Sequence, residues 1–321
     1  MKEENTYVSV IMLAYNHEHY IHEAIESVIN QKFDKKFELL IGEDCSTDNT
    51  LGVINSYQKK YPDLIRVIKR NQNVGMHQNF LELLDFAEGK YLCFCEGDDY
   101  WIDENKLQIQ TDFLDRNQEY ILLCGNARRF NHSAGEFRGE IPIYSKERDI
   151  DFAKLARYNC ITTATVMIRN CIGSNDFNPN FLTIISADWF MYMLLYKKGK
   201  FRYMDHKFSV YRENEGSING KAKRIQIENH EMNFLNLLYN EGIISLNNNE
   251  KRTVKNSIAY KLNGFAKAYA NSGDRTRALR LSFESFVKRK FSSESLYRLF
   301  ETMLFIVFPG VHRKLKSYKL S

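Results

Sequence analysis

Over the first 125 residues, short apolar runs alternate with amphipathic stretches, and this alternation constrains the fold more than any other feature. Residues 7–13 (YVSVIML) form a β-branched run, and residues 18–30 place Ile21, Ala24, Ile25 and Val28 at helical spacing. Residues 37–41 read as a second strand, followed by a helix that Ser46 or Thr47 would cap. Residues 65–68 read as a third strand. Residues 76–86 predict a helix with Phe80, Leu83 and Leu84 on one face, and residues 91–95 a fourth strand. Strands separated by helices imply βαβ units, hence a parallel sheet covered on both faces.

Such sheets place their ligands beyond the carboxyl ends of the strands. The residues there are Ala14-Tyr15-Asn16 after the first strand, Glu43-Asp44 after the second, residues 71–73 after the third, and Glu96-Gly97-Asp98-Asp99 after the fourth. Two of these four positions are acidic pairs, an unusual lining for a phosphate-binding crevice unless a cation sits in it.

The rest of the chain is less regular. Residues 161–168 (ITTATVMI) read as a strand, residues 186–198 as a helix with Asp188 in its first turn, and residues 208–211 as a short strand. Beyond Lys221 the pattern is helical, with residues 258–270 and 275–287 forming a hairpin about Ser272-Gly273-Asp274. At 321 residues the chain exceeds one average domain. The expected division is 1–220, with halves of about 1–125 and 126–220, and a helical region 221–321.

Charge follows that division. Residues 251–321 hold 16 Lys/Arg against 4 Asp/Glu, a net of +12, so the overall +5 conceals a net of −7 over residues 1–250. A basic tail calls for an anionic partner, either a membrane surface or nucleic acid. Residues 303–308 (MLFIVF) and the run His312-Arg313-Lys314-Leu315-Lys316 suit an interfacial anchor on anionic lipid; the alternative is a helix packed on the catalytic domain with a frayed end. Nucleic acid is not expected, because the acidic face would repel its phosphates. No apolar stretch reaches the roughly 20 residues that span a bilayer. The six cysteines include no CxxC pair, and residues 1–4 lead into no signal-like apolar run. Reduced thiols and a cytoplasmic location, peripheral at the inner face of the membrane, are expected.

Glu96 and Asp98 stand two apart at a strand end and point the same way. They are suited to one Mg2+ or Mn2+, or simply to solvating a loop. Asp44 can accept a nucleobase imino hydrogen bond or serve as a loop carboxylate. Asp188, beside Trp189, is either a general base or an acidic group favoured by the helix dipole. Tyr100 and Trp101 line a sugar pocket or pack behind the acidic loop. His17, His19 and His22 straddle a loop and a helix start, where nothing makes them converge on a metal.

Taken together, the runs VSVIMLAYNHEHYIHEAIESVINQ and FELLIGEDCSTDNT, then NQNVGMHQN, GKYLCFCEGDDYW, SADW and the pair Tyr211-Arg212 resemble inverting family 2 glycosyltransferases of GT-A fold over about residues 7–215. That fold is a Rossmann-like, mostly parallel sheet flanked by helices. The EGDDYW form resembles bacterial members that build capsular or lipopolysaccharide glycans. The resemblance implies a nucleotide-sugar donor, a saccharide or lipid-linked acceptor, and Mn2+ or Mg2+. It assigns Asp44 to the base (uracil), with Ala14 and Asn16 in the same pocket and Asn73 and Asn79 in the next loop. Glu96-Gly97-Asp98 corresponds to the DxD motif, with Asp98 as metal ligand and Glu96 reaching the ribose or a metal-bound water. Asp188 matches the general base and Arg212 meets the diphosphate. Asp99, Tyr100, Trp101 and Trp189 fall around the sugar and acceptor. Two departures stand out: Glu213 and Asn214 replace a common His, and Ala187 replaces a common Glu.

Rival readings are weaker on the same residues. A sugar-1-phosphate nucleotidyltransferase wants a Gly-rich basic loop after the first strand, where this chain has Ala14-Tyr15-Asn16-His17. A NAD enzyme wants GxGxxG there. A degenerate family member acting as a scaffold would have no need of Asp44, Asp98 and Asp188.

Overall fold

The computed structural model describes residues 5–141, 143–214 and 224–288, with isolated helical positions at 296, 299–300 and 303. The chain divides into two compact units, Met1–Asp151 with Asn159–Arg224, and Phe152–Tyr158 with Ile225–Ser321.

The first unit opens as β1 (Val8–Ala14), α1 (Ile21–Ile29), β2 (Phe37–Glu43), α2 (Thr50–Lys60), β3 (Ile65–Lys69), α3 (Met76–Phe86) and β4 (Tyr91–Phe94). All pairings among these strands are parallel: Ala14 lies opposite Glu43, Ile11 opposite Phe94 and Leu39 opposite Ile65. Val10, Met12, Leu39, Ile41 and Cys93 on one face and Ile11, Leu40 and Leu92 on the other are buried, as strands covered on both faces require. Level registers bring the carboxyl ends of β1, β2 and β4 to one edge. Gly42 permits close packing there, because a Cβ would lie 2.2 Å from Oδ1 of Asn79 on α3.

The chain continues through β5 (Tyr100–Trp101), α4 (Lys106–Arg116), β6 (Tyr120–Asn131), β7 (Glu136–Ile141) and β8 (Arg148–Asp149). After α5 (Phe152–Arg157), which belongs to the second unit, come β9 (Met167–Arg169), α6 (Ala187–Tyr196) and β10 (Lys200–Glu213). The sheet order is β3-β2-β1-β4-β9-β6-β10-β5, with β7 beside β6 and β8 beside β10. β9 runs antiparallel to both β4 and β6, while β6 and β10 are parallel.

Residues 161–168 do not form the continuous strand their composition suggests. Residues Thr163–Thr165 form a 3-10 turn and only Met167–Arg169 is strand. The Thr165 hydroxyl donates to the Thr162 carbonyl at 2.7 Å, one of the local bonds by which threonine competes with a ladder. Conversely, β10 extends over 14 residues where the apolar pattern marks four, because Arg202, Asp205, His206 and Lys207 interrupt it.

The second unit contains α5, α7 (Arg224–Asn236), a π-helical turn Leu237–Glu241, α8 (Asn248–Asn271) and α9 (Arg275–Lys288). Asn247 and Glu250 form a reciprocal capping box that starts α8. Gly273, at φ 89°, supplies the left-handed residue that ends it. Leu262, Ala266, Ala278 and Phe286 are buried, and Ser285 donates to the Ala259 carbonyl at 2.6 Å. Among the described residues no helix is long and apolar enough to cross a membrane. The basic run at residues 312–316 lies outside the described residues.

Candidate active site

The acidic turn after β4 is held from three sides. Cys95 and Gly97 continue the pairing with β1, donating to the Ile11 and Leu13 carbonyls at 3.0 Å each. Gly97 sits against His17 and Ile21, where a Cβ would come within 2.6 Å of His17 Nδ1, so a side chain at this position would force its neighbours to shift. From β10, Arg212 donates its backbone N–H to Asp99 Oδ1 and its Nε to the Asp98 carbonyl, both at 2.8 Å. Its Nη2 reaches Glu23 on α1 at 2.5 Å, and its guanidinium lies 5.0 Å from the Tyr20 ring and 5.1 Å from that of Tyr100. Arg212 is only 5% exposed. These contacts pack it against the turn, which it anchors.

Asn214 donates from Nδ2 to Asp98 Oδ2 at 3.0 Å. Sequence reasoning marked this position only as a departure from the usual His. A contact across 116 residues leaves no local signal in the sequence.

Crowding three carboxylates in one turn has an electrostatic cost. Burial pushes the Glu96 carboxyl up to about 7, and the charges of Asp98 and Asp188 add to the effect. Asp99 rises well above the carboxylate range through burial and the charges of Asp98 and Glu96, against which Arg212 acts. Glu96 Oε2 is buried with no hydrogen-bond partner. An unpaired buried oxygen costs about 1–3 kcal/mol, which a cation would offset. No set of three or more His, Cys, Asp or Glu side chains among the described residues forms a complete metal cage. Hard oxygen donors from one or two carboxylates nevertheless fit Mg2+ or Mn2+ completed by substrate phosphate and water.

Asp188 opens α6, where the helix dipole favours its charge. Its Oδ2 accepts from Asn159 Nδ2 at 2.7 Å and from the Thr163 hydroxyl at 3.1 Å, while Oδ1 accepts from the Trp189 N–H at 2.8 Å. Burial raises its pKa, and these donors oppose the rise. The charge of Asp188 also acts on Glu96, raising its pKa. The 3-10 turn that replaces the expected strand is what presents Thr163. Neither Asn159 nor Thr163 announces itself in the sequence.

The other candidates hold loops. Asp44 is 2% exposed; its carboxylate accepts from the N–H groups of Val74 and Gly75 at 2.8 and 2.9 Å, and its own N–H donates to the Ala14 carbonyl at 3.0 Å. Asn73 donates to the Asp44 carbonyl at 3.1 Å. Asn16, at φ 56°, accepts from the Thr47 N–H at 2.8 Å and ties the loop after β1 to the loop after β2. Asn79 is 1% exposed and donates to the Gly42 carbonyl at 2.8 Å, so it fastens α3 to β2. Trp101 and Trp189 are 4% and 0% exposed. Trp101 packs behind the acidic turn with Lys106 Nζ 4.1 Å from its ring, so neither indole is open to a sugar. Tyr100 is half-buried against Arg212.

Comparison with known proteins matches this arrangement to a class. The profile of Glycosyl transferase family 2 matches residues 9–174. The chain belongs to that family, and its sheet is a GT-A fold. An uncharacterized protein of Mycobacterium tuberculosis (strain ATCC 25618 / H37Rv) is 35% identical over 211 residues, covering 66% of this chain and 60% of that protein. This chain therefore spans less than two thirds of that relative's length. The Escherichia coli UDP-Glc:alpha-D-GlcNAc-diphosphoundecaprenol beta-1,3-glucosyltransferase WfaP is 25% identical, covering 84% of this chain and 99% of its own. Among solved structures, S. aureus TarS 1-349 in complex with UDP-GlcNAc superposes with a TM-score of 0.56 at 18% identity, covering 94% of this chain and 91% of that one.

Proposed function

We propose that the protein is an inverting glycosyltransferase that moves a sugar from a uridine-diphosphate donor to a hydroxyl of a saccharide or lipid-linked acceptor in bacterial surface polysaccharide synthesis. The observation that carries this reading is the buried acidic turn Glu96–Asp99 beyond the carboxyl ends of the parallel strands, held there by Arg212 and Asn214. WfaP, a transferase with a UDP-Glc donor and a GlcNAc-diphosphoundecaprenol acceptor, supports the choice of substrates.

Asp188 takes the proton of the acceptor hydroxyl as that oxygen bonds to the anomeric carbon. The bond from that carbon to the donor phosphate oxygen breaks, its electrons leave with the nucleoside diphosphate, and the configuration inverts. Asn159 and Thr163 orient the Asp188 carboxylate and favour its ionised form against burial. Asp98, with Glu96 beside it, would hold a divalent cation, and Arg212 and Asn214 keep that turn rigid. When bound, the cation would neutralise charge on the departing diphosphate. Asp44 and Asn16, with Ala14 and Asn73, shape the loops that receive the base and ribose.

The test is incubation with a panel of nucleotide sugars and Mn2+ or Mg2+, with and without saccharide acceptors. Acceptor-dependent release of nucleoside diphosphate is expected. Pyrophosphate release would point to a nucleotidyltransferase, and donor binding without turnover under any acceptor would point to a scaffold.

A further inference from the structure

On α9, Leu279, Phe283 and Val287 stand at four-residue intervals and are 39%, 60% and 46% exposed. That spacing aligns them on one face of the helix. The adjoining side, with Ala278, Ser282, Ser285 and Phe286, is buried. Leu296, Phe300 and Met303 repeat the pattern at helical spacing, 52%, 62% and 43% exposed. Single exposed apolar residues are ordinary on protein surfaces; stripes in register are not.

The charge around the stripe selects among occupants. Arg275, Arg277 and Arg280 are exposed on the same helix, and residues 251–321 carry a net +12. A second copy docked through the same face would set this charge against itself. Nucleic acid would satisfy the arginines and leave the apolar stripe in water. An anionic bilayer satisfies both, with headgroup phosphates for the arginines and the acyl boundary for Leu279, Phe283 and Val287.

We infer that α9 docks on an anionic lipid surface through the Leu279–Phe283–Val287 stripe, with Arg277 and Arg280 at the headgroups. This places the contact on a folded helix rather than on the basic run at 312–316, and it is independent of the transferase reading, since its test uses lipid alone.

The full chain is sedimented with vesicles of phosphatidylcholine alone and of phosphatidylcholine containing about one third phosphatidylglycerol. Binding to the anionic vesicles alone is expected, weakening as salt is raised. Phe283→Ser with Val287→Ser should lower the partition coefficient about tenfold. Arg277→Glu with Arg280→Glu should do the same on anionic vesicles and flatten the salt dependence. All four side chains are exposed, so an unchanged thermal midpoint is expected; should the serine variant fail to fold, the charge-reversal variant carries the test. Equal binding to both vesicle types, or unaltered binding of either variant, would overturn the inference. So would a wild-type dimer in sedimentation equilibrium that the serine pair dissolves without any vesicle binding, which would assign the face to a second copy.

Discussion

Asp188 is a buried carboxyl on which burial and hydrogen bonding act in opposite directions. Burial favours the neutral acid, and the donors from Asn159, Thr163 and the Trp189 N–H pull the other way. Removing a donor to the ionised form raises the pKa. Asn159→Ala should therefore move the acid limb of the kcat–pH profile to higher pH, with activity lost earlier as pH falls. It should also lower kcat by roughly 10–100-fold, the equivalent of one charge-assisted hydrogen bond of about 1.5–3 kcal/mol. Donor affinity should not change. A profile that keeps its wild-type acid limb would mean that Asn159 does not position Asp188. The sequence marks Asp188 through SADW but is silent on Asn159, 29 residues away in the chain. Arg212 shows the complementary limit: the Tyr-Arg pair marks the residue, while its burial against Glu23 and Tyr100, which makes it an anchor, depends on strand pairing.

At the scale of elements, the parallel half was legible because each strand is a buried apolar run and each helix displays an apolar face. The α3 bounds Met76–Phe86 coincide with the sequence reading. The second half was less legible, since β7, β8 and much of β10 carry polar, solvent-facing residues. The amino ends of β1 and β4 meet α4 at a different polar network. Asp115 accepts from the Tyr7 hydroxyl at 2.6 Å, Lys90 at 2.6 Å, the Tyr91 hydroxyl at 2.8 Å and Lys35 at 3.2 Å. Burial alone would raise its pKa, but these donors hold it well below the usual carboxylate range. A depressed folded-state pKa contributes stability above the unfolded value of about 4 and loses it as pH falls further. The wild type should therefore lose stability in urea below about pH 4, and Asp115→Asn should be less stable at pH 7 and flatter across that acid window. An equally steep acid loss in the variant would assign that loss to other carboxylates.

Across the whole molecule, an acidic sheet domain and a basic helical region share one chain. On the proposed reading the first would take an anionic donor with a cation to mediate, and the second would meet an anionic surface directly. The division of charge was readable by counting residues, whereas the exposed stripe on α9 depended on knowing which helix face packs against α8. The central claim is that Asp98 serves the donor and Asp188 the transfer step. It is tested most directly by titrating UDP, in the presence of Mn2+, into the wild type, Asp98→Asn and Asp188→Asn, and following single-turnover transfer in the same samples. Asp98→Asn is expected to lose metal-dependent UDP binding; Asp188→Asn should bind UDP as the wild type does and fail to transfer. Near-normal transfer by Asp188→Asn, or undiminished metal-dependent binding by Asp98→Asn, would contradict the account.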